Sequence, residues 1–334
     1  MESHLVTGAT GLVGMHIVLD LLNQNKKVCA TFTKNSNRSI IKHVFNHYGF
    51  SNYYDKVKWI KMDLEDVTEV YQAIKGVDFV YHSGAIVSFN KSDYEQMRRI
   101  NIEGTTNIVN ACLEHKIKKL AFISSVASIG REGKGKYSEK NKWNSRKENS
   151  FYALTKYKAE NEVWRGIEEG LNAVITNPGI IIGPSHWGRS STTIFKQIHK
   201  GLSYFPEGKN GFIDVRDVAR ATIALMDSKI NRERFILVGE NLPYKSVFDD
   251  IALCLNKPKP YKKATKSLLE IAWRLEAIRC FITNKKQSIT KETARTASQI
   301  NIYENQKIIN ALNYNFKTIK EAISNTSKFL LKFK

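Results

Sequence analysis

The sequence predicts an α/β protein: a doubly wound parallel sheet with helices on both faces, and a smaller, discontinuous C-terminal substrate lobe. Three observations carry that prediction. Short apolar runs alternate with helical patterns from the N-terminus to about Val238, the pattern of strands joined by crossover helices. The first apolar run, His4–Thr7, meets three glycines and then a helical stretch. At 334 residues the chain is long enough for one large α/β domain with a smaller lobe attached.

His4–Thr7 reads as a buried strand. Gly8, Gly11 and Gly14 follow within Thr7-Gly8-Ala9-Thr10-Gly11-Leu12-Val13-Gly14, and Met15–Leu22 continues as a helix. In this context glycines mean phosphate binding. Gly8 lets the chain turn, Gly11 lets a pyrophosphate approach the backbone, and Gly14 lets helix and strand pack closely. The helix N-terminus offers free N–H groups and partial positive charge. The spacing is G-x-x-G-x-x-G rather than G-x-G-x-x-G. Val28–Thr31 reads as the second strand. An acid after it would hold the ribose diol of NAD, yet no Asp or Glu occurs from Leu21 to Tyr54. The strand instead runs into Thr33, Lys34 and Arg38, whose hydroxyl and cationic groups suit a 2′-phosphate. NADP is the expected cofactor, with NAD left open.

Val57–Ile60, Phe79–His82 and Leu120–Ser124 read as the next strands. The last ends in Ser124-Ser125, and Phe151–Glu169 reads as a long helix opened by Tyr152-Ala153-Leu154-Thr155-Lys156. Tyr-x-x-x-Lys also occurs at Tyr54/Lys58, Tyr71/Lys75 and Tyr303/Lys307, so spacing alone selects none of them. Context selects Tyr152, which opens a helix shortly after a strand ending in serines. Residues four apart share a helix face. Lys156 is therefore expected beside the Tyr152 hydroxyl, where its charge would lower a phenol pKa of about 10. Tyr152 would then exchange a proton with a substrate alcohol or ketone. Ser125 would hydrogen-bond that oxygen, and Lys156 would also reach the nicotinamide ribose. Ala173–Asn177 and Phe235–Val238 complete the strands.

The expected boundaries are 1–178 for the nucleotide-binding domain, its sheet completed by about 212–239, and 179–211 with 240–334 for the substrate lobe. Gly239-Glu240-Asn241-Leu242-Pro243 reads as linker-like. In Ser267–Ile282, residues Leu268, Ile271, Ala272, Leu275, Ile278 and Ile282 fall on one helical face. The reading preferred is a helix docked on the second lobe. A helix on a membrane surface or over an apolar pocket are the alternatives.

The net charge is +20, and residues 251–334, with 17 Lys/Arg against 5 Asp/Glu, carry +12 of it. The lysines are dispersed and no nucleic-acid motif accompanies them, so a solvated basic surface is expected and a nucleic-acid partner is not. The four cysteines lack metal-ligand spacing and read as reduced thiols, with no metal expected. No apolar run approaches the roughly 20 residues that span a bilayer. A first strand starting at residue four leaves no signal peptide, and a cytoplasmic location is expected.

Taken together, these motifs resemble the extended short-chain dehydrogenase/reductase family, over most of the chain. Thr7 to Gly14 resembles its cofactor turn in a Rossmann fold. Met62-Asp63-Leu64 resembles its adenine-contacting acid, and Tyr81-His82-Ser83-Gly84-Ala85 its fourth-strand segment. Asn101-Ile102-Glu103-Gly104-Thr105 resembles its Asn-x-x-Gly-Thr, whose Asn is implied to fix the active-site helix. Phe122 to Gly130 resembles its serine strand. Counting back from Gly130 puts the catalytic position on Ser125 rather than Ser124, which joins the cofactor contacts. Asn177-Pro178-Gly179-Ile180-Ile181-Ile182-Gly183-Pro184 resembles the segment passing the nicotinamide. Phe212 to Ala221 resembles the return into the sheet. The dihydroflavonol-reductase and 3β-hydroxysteroid-dehydrogenase-like branch is the nearer likeness, and the sugar-nucleotide epimerase branch the second.

Three functions compete. The first is an NADP-dependent reductase or dehydrogenase acting on a carbonyl/secondary alcohol pair. The second is a sugar-nucleotide epimerase or dehydratase holding NAD, which consumes no net cofactor. The third is a non-enzymatic NADP sensor, disfavoured because a sensor needs no Ser125, Tyr152 and Lys156. Val87, Trp187, Arg189 and Phe212 are the substrate-contact candidates. The aromatics suit an apolar or ring substrate, and Arg189 an anionic one. The resemblance also implies a homodimer through helices around Lys91–His115 and Phe151–Glu169.

Overall fold

Successive strand residues point to opposite faces of a sheet, and here both faces are apolar. Leu5, Val80, Leu120 and Ile175 enter one core, with Val109 and Val163 of helices Gly104–Glu114 and Phe151–Glu168. Val6, Tyr81, Ala121 and Val174 enter the other, with Ile17 of helix Leu12–Asn23 and Val218 of helix Val215–Asp227. Such two-sided burial demands a parallel sheet covered by helices on both sides. The structure, a computed structural model, describes residues 2–131, 135–144, 149–283, 287 and 289–333, apart from the side chains of Phe281 and Ile282. The last member of the predicted apolar helix face, Ile282, thus lies outside the described side chains.

The sheet has seven strands in the order Glu233–Leu237, Ala173–Pro178, Lys119–Ile123, Phe79–His82, Ser3–Thr7, Lys27–Phe32 and Lys58–Lys61. All six pairings are parallel. Strand Ser3–Thr7 lies between Lys27–Phe32 and Phe79–His82, so the winding reverses beside it. Ligands of such sheets bind where the order reverses, outside the carboxyl ends of the strands. Gly8 and Ser83 leave the sheet at that point.

A second sheet pairs Lys209–Asp214 in parallel with Ile180–Ile182 and antiparallel with Glu240–Pro243. The stretch read as a linker is therefore largely an edge strand, with Phe212 opposite Glu240 and Lys209 opposite Pro243. Asn241 secures it further. Its amide donates to the Tyr303 carbonyl and accepts from the Tyr303 N–H, each at 2.9 Å. Helices Tyr244–Cys254 and Ile319–Lys332 add Val247, Ile251, Ile323 and Phe329 to the same core as Ile17 and Val218. One apolar core thus runs from the parallel sheet into the C-terminal elements.

Helix Lys266–Thr283 packs against helix Lys291–Ser298, and its Leu268, Ile271, Leu275 and Ile278 face outward. The helix thus docks on an element of residues 240–334, the expected lobe, but with its predicted apolar face turned outward. No described helix is long and apolar enough to cross a membrane. Cys29, Cys112, Cys254 and Cys280 are free thiols.

Candidate functional site

At the end of the first strand Gly8 has φ +63°, a left-handed conformation that side chains disfavour. A Cβ there would also lie 2.6 Å from the Gly84 backbone, and one on Gly14 would lie 2.4 Å from the Gly8 carbonyl oxygen. The turn is closed by the Gly11 N–H on the Gly8 carbonyl at 2.9 Å. Gly11, exposed, caps helix Leu12–Asn23 without a side-chain acceptor, and the first turn has no acid. Among the described residues no side chain caps those N–H groups, and no acid in the first turn repels an anion there. Thr10, Leu12 and Val13 complete this rim. The cradle fits the pyrophosphate of a nicotinamide dinucleotide.

Beyond the turn a groove of about 560 Å³ is lined by Thr33, Lys34, Met62 and Asp63, among others. Ser36 bridges its near side, accepting from the Thr33 N–H (2.9 Å) and the Thr10 hydroxyl (3.4 Å). Lys34 is exposed, and the Arg38 guanidinium lies over the Phe32 ring at 4.3 Å. Asp63 is exposed, with one oxygen accepting from the Glu65 N–H at 3.1 Å. Leu64 packs beneath two glycines: a Cβ on Gly84 or Gly104 would meet it at 2.9 or 2.8 Å. Ser83 donates to the Thr7 carbonyl at 2.7 Å, holding its loop on the strand end and leaving Ala85 exposed.

A buried relay links this end to the next helix. Thr105 donates to the Asn101 carbonyl at 2.7 Å, so its oxygen accepts from His82 Nε2 at 3.1 Å. His82 Nδ1 then accepts from the Thr7 hydroxyl at 2.6 Å. Burial, and next the Lys156 charge, push His82 down to about 3, so the ring is neutral. Asn101 lies in a wide turn, Arg98–Glu103, and is buried. Its amide oxygen accepts from the Ile86 N–H (2.7 Å), and its nitrogen donates to the Ile86 carbonyl (2.9 Å) and to Thr155 Oγ1 (3.1 Å). Asn101 thereby ties the loop after the fourth strand to the helix that carries Tyr152.

Helix Phe151–Glu168 starts at Ser150, whose hydroxyl accepts from the Ala153 N–H at 2.9 Å. Burial pushes the Tyr152 phenol up to about 12, and the Ser125 hydroxyl, bonded to it, pulls the other way. Lys156 is fully enclosed. It donates to the Ile123 carbonyl at 2.8 Å and its ammonium lies 4.3 Å from the Phe122 ring centre. Burial pushes it down to about 7, against an upward pull from Glu160. The expected lowering of the Tyr152 pKa by Lys156 is corrected. Burial sets the direction of the Tyr152 shift, opposed by the Ser125 hydroxyl, while the lysine ammonium turns to the Ile123 carbonyl.

Glu160, one turn further on, went unnoticed in the sequence. It is buried, and its Oε2 accepts from Ser124 (2.7 Å) and Asn177 (2.9 Å) while lying 2.7 Å from the Ser128 hydroxyl. Its Oε1 pairs with Arg234 at 3.0 Å. Ser124 therefore spends its hydroxyl on Glu160, inside the fold. Ser125 is extended and accepts from the Ala127 N–H at 3.1 Å, which aims the neighbouring serine toward Tyr152.

Pro178 ends its strand, and Gly179 admits a close pass of Gly211, whose carbonyl oxygen a Cβ would meet at 2.5 Å. Ile180 and Ile181 follow, half-buried. Phe212 is corrected as a substrate contact: it is wholly buried, edge-on to Tyr244 at 5.7 Å, because it sits in the middle strand of the second sheet. Trp187 donates its indole N–H to the Leu330 carbonyl at 2.9 Å, a structural bond. Arg189 and Val87 are exposed. The Tyr152 side is instead walled by Phe89, 6.1 Å from its ring, and by Tyr94 stacked on Phe151 at 4.1 Å. Tyr94 donates to Glu292 of helix Lys291–Ser298 at 3.0 Å. That pairing is 198 residues apart in sequence, which no local pattern signals.

The profile of the NAD dependent epimerase/dehydratase family matches residues 4–239. A putative dihydroflavonol 4-reductase of Synechocystis sp. is 27% identical over 335 aligned residues, covering 97% of this chain and 93% of its own. Sterol demethylase protein B of Methylococcus capsulatus is 26% identical over 258 residues, 77% of this chain and 75% of its own. The crystal structure of gox2253 superimposes with a TM-score of 0.82 at 25% identity, over 99% of this chain and 98% of that one.

Proposed function

Because the chain belongs to the NAD-dependent epimerase/dehydratase family, we propose that it interconverts a carbonyl and a secondary alcohol on a small apolar or ring-containing substrate, with NADP preferred over NAD. The observation that carries this reading is the placement of Tyr152: its phenol is bonded to Ser125 at the head of the helix that Asn101 anchors. A phenol protonated at neutral pH is in the right state to give its proton to a carbonyl oxygen as that oxygen becomes an alcohol.

When bound, the nicotinamide supplies or accepts the hydride. Gly8, Gly11 and Gly14 would hold the pyrophosphate, and Thr33, Lys34 and Arg38 the 2′-phosphate. Asp63, Leu64, Ser83, Gly84 and Ala85 would border the adenosine, and Pro178 to Ile181 the nicotinamide. Ser125 hydrogen-bonds the substrate oxygen and Tyr152 transfers its proton. Lys156 would orient the ribose. Glu160 pulls that lysine's pKa upward against the burial that lowers it to about 7. Residues 179–211 and 240–334 form the substrate lobe, and Phe89 and Tyr94 give its near wall an aromatic character. A homodimer through the helices around 91–115 and 151–169 and a cytoplasmic location complete the proposal.

The near full-length likeness to a putative reductase supports reduction over epimerisation. The test is loss of the NADPH absorbance with a panel of aromatic and alicyclic ketones, beside nucleotide sugars. Net NADPH consumption with a ketone is expected. Interconversion of a nucleotide sugar without net consumption refutes the reductase reading.

A further inference from the structure

Helix Lys266–Thr283 has two apolar sides, and the fold uses one. Trp273, partly covered, turns toward helix Lys291–Ser298, whose Lys291 ammonium lies 5.8 Å from its ring centre, and Cys280 is buried. Leu268, Ile271, Leu275 and Ile278 turn away and are 38%, 55%, 61% and 59% exposed. Their spacing of three, four and three residues makes one continuous stripe along the helix. Single exposed aliphatics are ordinary on protein surfaces, whereas a contiguous apolar strip marks an interaction site.

The charge around the stripe narrows the choice of partner. Residues 257–291 hold ten Lys/Arg and two Asp/Glu. Both acids, Glu270 and Glu276, are already paired, with Arg274 at 2.8 Å and Arg279 at 2.7 Å. At the helix N-terminal end Tyr261 is 70% exposed, and the Lys262 ammonium lies over the rings of Tyr204 and Tyr261 at 5.7 and 5.5 Å. Lys263 reaches Glu207 at 3.3 Å, and Lys266 is exposed. Aliphatics along the middle, aromatics with lysines at one end and an excess of positive charge are what a lipid interface rewards. A second copy of this chain would bring the same positive charge against itself.

We propose that this face lies on an anionic lipid bilayer, the Leu268-Ile271-Leu275-Ile278 stripe at the acyl boundary and the lysines on the headgroups. The contact sits on the substrate side of the molecule. Helix Lys291–Ser298, beneath it, places Glu292 on the Tyr94 hydroxyl and within 3.4 Å of the Phe151 N–H, at the start of the Tyr152 helix. Docking would present that entrance to the membrane, which suits an apolar substrate. Binding to lipid through this face does not depend on the reaction proposed above.

The test is co-sedimentation of the full chain with vesicles of phosphatidylcholine alone and with vesicles one quarter phosphatidylglycerol. The wild type is expected to bind the anionic vesicles at least about tenfold better, and to lose that preference in high salt. The triple variant Ile271→Gln, Leu275→Gln, Ile278→Gln leaves the charge unchanged and alters exposed side chains. It should keep the wild-type far-ultraviolet spectrum and thermal midpoint while binding anionic vesicles about tenfold or more weakly. The double variant Lys262→Gln, Lys266→Gln should lower the anionic preference and leave neutral vesicles unchanged. Wild-type protein that stays in the supernatant with anionic vesicles overturns the proposal, as does a triple variant that sediments like wild type. A concentration-dependent dimer in light scattering that the triple variant abolishes would assign the face to a second copy, and so overturns it too.

Discussion

Replacing Lys156 by Met should make the protein more stable at neutral pH and nearly inactive. The lysine is enclosed and its pKa is pushed down to about 7 by burial. Against an ordinary lysine near 10.4, at 1.36 kcal/mol for each pKa unit, the folded state carries a cost of roughly 4–5 kcal/mol below pH 7. Methionine of similar length removes that cost. It also removes the 2.8 Å bond to the Ile123 carbonyl, worth about 1–3 kcal/mol when the acceptor is left unpaired. The net gain expected near pH 6.5 is therefore about 1–4 kcal/mol. Between pH 7 and 10.4 the unfolded lysine still binds a proton that the folded one has released. Wild-type stability consequently rises with pH across that window by up to about 1.36 kcal/mol per unit from this group, and the variant lacks the rise. The two stability curves should cross between about pH 8 and 10, where the shrinking desolvation cost equals the lost bond. Urea denaturation of both proteins at a series of pH values measures this directly, because all other titrations cancel in the difference. A difference that stays flat from pH 6.5 to 10 would mean that Lys156 keeps its proton when folded, and the desolvation argument would be wrong.

Tyr152→Phe removes only the hydroxyl, so folding and NADPH binding should persist while turnover on an identified substrate falls about 10²–10⁴-fold; full activity would end the acid/base assignment. Lys34→Ala with Arg38→Ala should raise the Michaelis constant for NADPH about 10²–10⁴-fold, each of the two phosphate contacts being worth roughly 1.5–3 kcal/mol, and leave NADH nearly unaffected. Equal losses for both cofactors would point to a general surface effect instead. Gly14→Ala should abolish dinucleotide binding measured by fluorescence quenching, since its Cβ would press within 2.4 Å of the Gly8 carbonyl oxygen; unchanged affinity would show that the turn yields at little cost. Phe212→Ala should lower stability by about 3–5 kcal/mol as a core cavity and spare the Michaelis constant of the substrate, whereas a substrate-specific loss would restore Phe212 to the pocket.

Much of the frame was legible because it rests on short-range rules. Every strand of the parallel sheet was located from an apolar run such as Ala173–Asn177, within a residue or two at each end. The Tyr152 helix was found within one residue, as its serine cap and long periodic pattern lie together. What escaped lies between distant segments. Glu160 read as one more charge on a helix, yet Ser124, Asn177 and Arg234 converge on it from three strand ends. Gly239–Pro243 offered two turn residues and no run of alternation, and became a strand because Lys209–Asp214 had an open edge for it. Phe212 read as a pocket aromatic because no pattern tells which layer a residue enters.

The sequence by itself determined the parallel doubly wound sheet, the glycine turn at its reversal point and the pairing of Ser125 with the Tyr152 helix. Periodicity and glycine spacing are patterns over a few residues, so they can be read from the sequence before the packing is known. The tertiary structure alone decided the state of the groups. Enclosure sends the Tyr152 phenol up to about 12 and the Lys156 ammonium down to about 7. Packing likewise turned Leu275 and Ile278 outward rather than inward. Desolvation and burial depend on every neighbour at once, and the neighbours of Lys156 come from strand, helix and sheet end brought together only by the fold.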